Sequence, residues 1–273
     1  MKFLDAKEDY KASRIILFGV PFDGTSSFRK GSAKAPDEIR ASSDSIETYS
    51  PYLNKDLMDL DFYDAGDLKG LSREQSESMF DSVSEYMKKI TSDGKIPFAL
   101  GGEHLITYPV VKSLMNVYEN ITVVQFDAHT DLREDYDGVR YSHATVMKRL
   151  LEIDGVSLIQ TGIRSGPKDE FELMNTNKTF YKLSDKELIL KQIRNKNVYI
   201  TVDIDVFDPS SVPGTGNPEA GGITFLQFID FIKNIKDTSL IGCDVAELNP
   251  DLDPSGISSI FTAQVVRELL LIL

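Results

Sequence analysis

Apolar and polar positions alternate along this chain in blocks of two kinds. Short, nearly continuous apolar runs occur at residues 14–20, 96–100, 121–126, 156–163, 197–202 and 240–245, and such runs predict strands buried on both faces of a parallel sheet. Between them lie stretches with helical spacing. Met79, Val83, Met87 and Ile90 form one apolar stripe, with a capping pair at Ser72 and Gln75 before it and Gly94 after it. Pro36 suits the first turn of a helix running to about residue 47. Further helices are expected over 143–153, after Pro167, after a Ser184–Glu187 cap, and after a Thr224–Gln227 cap. Residues 58–63 and 179–181 read as two additional short strands. The chain closes on an apolar helix whose LLLIL ending fits a docked core face.

About eight strands thus alternate with helices, with no internal repeat and no linker-like shift in composition. The pattern predicts an α/β protein with a mainly parallel sheet, in one domain spanning 1–273. An eight-stranded barrel and an open doubly wound sheet fit the count equally well.

What changes the picture is where the polar residues fall. The run ITVVQF ends in DAHTD, placing Asp127, His129 and Asp131 at i, i+2 and i+4, on one face if the chain stays extended. Three other runs end in similar groups: His104 after GGE, Asp203 with Asp205, and Glu247. The C-terminal ends of parallel strands share one edge, where ligands bind. Two histidines and four aspartates exceed the three protein ligands of a catalytic zinc. They suit two ions roughly 3.5–4 Å apart, bridged by carboxylates, with a water between them ionised at neutral pH. The oxygen-rich, thiolate-free set favours manganese over zinc, with iron, cobalt or nickel as alternatives. His143 is left over for proton transfer, and Glu247 for pairing with a cationic substrate.

Composition narrows the class. The chain has 273 residues, 27% charged and 41% hydrophobic, with a net charge of −13. It offers no basic patch to neutralise phosphates, so nucleic acid and anionic membranes are not expected partners. No apolar run approaches the length of a membrane span, and MKFLDAKEDY is too polar for a signal peptide. The one cysteine, Cys243, permits no internal disulfide and fits a reducing cytoplasm as a buried, inert thiol. The Gly/Ser-rich loop at 21–36 lacks a phosphate-cradling spacing.

GGEHLIT (101–107), FDAHTDL (126–132), YSHAT (141–145), TVDIDVFDPS (201–210), PGTGNPEAGGIT (213–224) and DVAELNP (244–250) resemble the signature blocks of the arginase/agmatinase, or ureohydrolase, family. GVPFDGTSSFRKGSAKAPDEIR (19–40) resembles its agmatinase branch. The resemblance covers essentially the whole chain. It implies a three-layer arginase-like fold with an open, eight-stranded, mainly parallel sheet flanked by helices, the four site-bearing strands being neighbours. It implies two Mn2+ per chain on His104, Asp127, His129, Asp131, Asp203 and Asp205, with Asp131 also orienting a bridging hydroxide. His143 is then the proton shuttle and Glu247 the guanidinium anchor, and the products are urea and an amine.

The loop LREDYDGVRYS (132–142) lacks the Asn and Ser pattern with which arginases read the amino-acid head of arginine. The small cationic guanidino substrate implied is agmatine. Asp135 and Asp137 would suit its distal ammonium, whereas Arg133 and Arg140 would suit the carboxylate tail of guanidinobutyrate. The family also implies a homo-oligomer, trimer or hexamer. The other classes weighed are a two-metal phosphoesterase, for which a GNH block is missing, and a catalytically silent metal-binding relative, for which no site residue has been lost.

Overall fold

The computed structural model describes residues 1–69, 71 and 75–273. In chain order the strands are β1 (Ile15–Val20), β2 (Tyr49–Ser50), β3 (Lys55–Asp56), β4 (Phe62–Asp67), β5 (Ile96–Gly101), β6 (Ile121–Phe126), β7 (Val156–Thr161), β8 (Asn197–Asp203) and β9 (Ser239–Ala246). Seven of them form one open sheet in the order β4-β1-β5-β9-β8-β6-β7, with every pairing parallel. β2 and β3 make a separate antiparallel pair.

Period-two alternation sorts each buried run onto the two faces of the sheet. Ile15, Leu17, Val124, Phe126, Ile200 and Val202 enter one apolar layer, while Ile16, Phe18, Ile121, Val123, Tyr199 and Ile241 enter the other. Helices cover both. They are α1 (Ala35–Ser43), α2 (Ser76–Ser92), α3 (Thr107–Leu114), α4 (Val146–Leu151), α5 (Lys168–Asn177), α6 (Lys186–Ile193), α7 (Phe225–Ile232) and α8 (Ile257–Ile272). The first layer receives residues from α1, α6, α7 and α8, and the second from α2, α3, α4 and α5. This is the three-layer, mainly parallel arrangement expected, and its open edges at β4 and β7 exclude the barrel.

The sheet has seven strands where eight were expected. Residues 179–181 do run beside β7, but only as one parallel bridge between Gln160 and Phe180, too short to count as a strand. The strand expected at 58–63 starts later. Residues 57–59 form a 3-10 turn whose Met58 N–H is bonded to Asp56, and β4 begins at Phe62. Its aspartate at 64 faces inward because Arg40 Nε donates to it at 2.8 Å and the Phe3 N–H at 2.7 Å.

The Thr224–Gln227 capping box is present at α7. At α6 the cap residue is Asp185 with no side-chain cap bond, because a 3-10 turn over 183–185 leads into that helix. The capping pair expected at Ser72 and Gln75 falls partly outside the described residues. The terminal LLLIL segment packs Leu269, Leu270 and Leu271 into the core, and among the described residues no helix is long and apolar enough to cross a membrane.

Candidate metal centre and active-site cavity

The strands β5, β9, β8 and β6 are consecutive in the sheet, so their C-terminal ends meet in one row. Register sets the level: Phe126 pairs with Val202, and Asp203 with Ala246. Asp127, Asp203 and Glu247 therefore emerge side by side. β5 reaches the site through Gly102, where a Cβ would fall 1.9 Å from Phe22 O. Only glycine lets the 21–27 loop cross there, and the Glu103 N–H then donates to Phe22 O at 2.7 Å. His104 starts the 3-10 turn that follows.

Asp127, His129 and Asp131 do not share a face by staying extended. β6 stops at Phe126, His129 bridges to Ser165, and Asp131 adopts φ +51°. Left-handed backbone at a non-glycine residue costs about 1–3 kcal/mol and collects at functional sites. Here the Asp131 carbonyl is held by the N–H groups of Met147 and Lys148 at 3.0 and 3.2 Å, which turns its side chain back onto the sheet edge. Glu247, at φ +67°, is a second such residue, fixed by its N–H to Gly102 O at 2.8 Å.

Two groups of potential ligands result. His104, Asp127 and Asp203 form one, and Asp127, His129 and Asp205 the other, with the ligand atoms of each within 4.8 Å of one another. Asp127 belongs to both. Asp131 Oδ2 lies 3.2 Å from His104 Nδ1, beside Asp127 Oδ2 at 3.0 Å and Asp203 Oδ2 at 3.5 Å. His129 Nδ1 lies 2.8 Å from Asp205 Oδ2.

The four aspartates are at most 8% exposed, and among the described residues they pair with no lysine or arginine. Burial, together with Asp131 and Asp205, raises the pKa of Asp127, and burial with Asp205 and Asp127 raises that of Asp203 well above the carboxylate range. Burial resists the charging of His129, but Asp205 lifts its pKa to about 10. His104 Nδ1 is buried among three carboxylates yet hydrogen-bonds to none. An orphaned imidazole nitrogen facing a surplus of acceptor oxygens fits divalent cations, whose charge this cluster lacks.

Beside the cluster opens a cavity of about 600 Å³ lined by Ser27, Phe28, His129, Asp131, Arg133, Tyr136, His143, Glu170, Asp203, Asp205 and Glu247, among others. Glu247 Oε1 accepts the His104 backbone N–H at 2.8 Å, and burial with the nearby Glu103 raises its pKa. His143 Nε2 lies 3.2 Å from Ser27 Oγ, and its backbone N–H donates to Thr25 Oγ1 at 3.1 Å. Burial lowers the pKa of His143 below the usual imidazole value, which leaves the ring neutral at pH 7 and able to take up or pass on a proton.

Sequence reasoning missed the supports. Glu103, fully buried, accepts from the backbone and hydroxyl of Thr25 and from Ser26 at 3.2 Å. It pins the loop that holds His143, and burial pushes its pKa up to about 7. Its position inside GGEH was the available signal. Glu170, which accepts from Thr130 and from the Leu132 N–H, had none, because it sits on α5, far from every motif.

Of the loop charges singled out at 132–142, only Arg133 lines the cavity. Its guanidinium stands 5.3 Å over Tyr136 and 3.9 Å from Glu170. Arg140 pairs outside with Glu152 at 2.7 Å, Asp135 accepts from the Gly138 N–H within its own turn, and Asp137 lies in the same turn with φ +52°.

A family model described as the arginase family matches residues 13–272. The chain belongs to the arginase family. An agmatinase of Bacillus subtilis (strain 168) is 38% identical over 276 residues, covering 98% of this chain and 95% of that protein. A solved chain from Clostridium difficile superimposes with a TM-score of 0.91 at 42% identity, over 97% of this chain and 98% of that one. The agmatine ureohydrolase of Thermoplasma volcanium gives 0.88 at 33% identity, over 99% and 93%. Membership makes the protein an agmatinase-type hydrolase acting on the C–N bonds of linear amidines, and it sets aside the phosphoesterase reading.

Proposed function

We propose that this arginase-family chain hydrolyses agmatine to urea and putrescine with two Mn2+ held by His104, Asp127, His129, Asp131, Asp203 and Asp205. The observation that carries it is that Asp127 is shared by two three-residue ligand groups, of which His129, Asp203 and Asp205 line the cavity that Glu247 and His143 also line. Two divalent cations there would supply positive charge and a water ionised near neutral pH. Glu247 would pair with the guanidinium and hold its carbon beside the cluster. Asp131, at the edge of the cluster, would orient the attacking water by accepting a hydrogen bond from it. As water adds to the guanidinium carbon and the C–N bond breaks, His143, neutral at rest, would take up the proton released and relay it to the departing amine nitrogen. Tyr136 and Phe28 offer apolar cover for the methylene chain.

Agmatine is the substrate proposed because an agmatinase of Bacillus subtilis is similar over nearly the full length of both chains. Guanidinobutyrate is the second reading, since Arg133 lines the same cavity. The chain is proposed to act as one domain, in the cytoplasm, and as a homo-oligomer. Exposed Tyr49, Tyr52, Leu226 and Ile257 support the last point, which light scattering of the purified protein tests.

The deciding experiment incubates Mn2+-reconstituted protein with agmatine, guanidinobutyrate and arginine in parallel and measures urea. Agmatine should give the highest kcat/KM. A tenfold advantage for guanidinobutyrate replaces the substrate but keeps the reaction. Metal uptake with no urea from any substrate identifies a silent relative.

A further inference from the structure

On β8, side chains at alternate positions share a face, and Tyr199, Thr201 and Asp203 follow one another there. Thr201 is the direct register partner of Asp244 on β9. Its hydroxyl donates to Asp244 Oδ1 at 2.6 Å, and the Tyr199 hydroxyl donates to Asp244 Oδ2 at 2.7 Å. His104 Nε2 lies 2.7 Å from the same Thr201 oxygen, and Thr107 Oγ1 lies 3.2 Å from it. All of these side chains are fully buried, and among the described residues Asp244 has no lysine or arginine partner.

We propose that Asp244, acting through Thr201, is the positioning group that makes His104 an Nδ1 ligand and sets the affinity of that half of the site for its cation; this rests on the metal-centre reading above. A threonine hydroxyl has one hydrogen. With that hydrogen given to Asp244, the oxygen can only accept, so His104 must carry its proton on Nε2. The Nδ1 lone pair is then committed to the side where Asp127, Asp131 and Asp203 stand at 3.0–3.5 Å. The buried negative charge also polarises the imidazole through the hydroxyl and raises its basicity as a ligand. The other half of the site is built differently. His129 is about one quarter exposed, and its Nε2 lies 3.9 Å from Glu219, whose carboxylate accepts from Ser165 Oγ; among the described residues no hydroxyl links the ring itself to a carboxylate.

The test strips the full-length protein of metal, titrates it with Mn2+ alone, and reads free Mn2+ by electron paramagnetic resonance. The parent and Thr201→Ser, which keeps the hydroxyl, should bind two ions alike. Thr201→Val and Asp244→Asn should each weaken one of the two ions by about 10–100-fold and leave the other unchanged. Binding of both ions within about twofold of the parent in Thr201→Val and Asp244→Asn overturns the proposal. So does equal weakening of both ions together with a lower melting temperature of the metal-free protein, which marks a merely structural role. A parent that takes up no Mn2+ overturns the metal-centre reading itself.

Discussion

The backbone N–H of His104 donates to Glu247 Oε1 at 2.8 Å. One peptide group thus ties a candidate metal ligand to the candidate guanidinium anchor, and holds a carboxylate at left-handed φ where its strain has to be offset. Glu247→Gln keeps the accepting oxygen and loses the charge. It should leave metal content unchanged while lowering kcat/KM for agmatine, guanidinobutyrate and arginine alike by about 100-fold or more, as expected for a lost charged contact in a buried site. Loss of metal from this variant would show that the charge serves the cluster rather than the substrate.

Asp127 stands in both ligand groups, and Asp203 stands between the two sides, its Oδ2 3.5 Å from His104 Nδ1 and its Oδ1 bonded to the Asp205 N–H at 2.8 Å. Asp127→Ala and Asp203→Ala should each reduce Mn2+ below one per chain, because excess positive charge is left in a desolvated site. Metal analysis of the purified variants measures this. Two ions per chain in either variant would assign that residue to one ion at most.

His143 touches no aspartate of the cluster within ion-pair distance. His143→Asn should retain metal and lose about 10²–10⁴-fold in turnover, the usual contribution of a general acid or base. Burial depresses the pKa of this imidazole. The neutral form is therefore present at and above the ordinary value of about 6.5, and the ring charges only as pH falls through its lower folded value. The acid limb of kcat should lie below that ordinary value, at constant metal content, and should disappear in His143→Asn. An unchanged limb would place the titration on another group.

Arg133 is the one charge of the 132–142 loop on the cavity wall. Arg133→Gln should lower kcat/KM for guanidinobutyrate relative to agmatine by about tenfold or more. Asp135→Asn, Asp137→Asn and Arg140→Gln should leave the ranking as it is. A shift in ranking from any of these three would mean that the loop closes over the substrate.

The strands, the parallel sheet and the polar residues that gather at its edge were legible in the sequence because each rests on a local rule. A parallel strand buried on both faces is mostly apolar, so β1, β5, β6, β8 and β9 announce themselves, and so do the polar groups at or just beyond their ends, His104, Asp127, Asp203 and Glu247. Boundaries were less legible where a polar residue is buried with a partner. Asp64 lies just past the strand expected at 58–63, and it sits inside β4 because Arg40 pairs with it in the core. Only the tertiary structure decided how the site is held. Asp131 reaches the cluster through a left-handed turn bonded to α4, not through strand alternation. Glu103 pins the loop that carries Ser27 to His143, Glu170 arrives from α5, and Asp244 meets Thr201 by register. Apart from the turn at Asp131, those contacts join residues from 38 to 118 positions apart along the chain. Sequence periodicity fixes which face a side chain takes on its own element, but a partner that distant is chosen by the packing of the whole sheet.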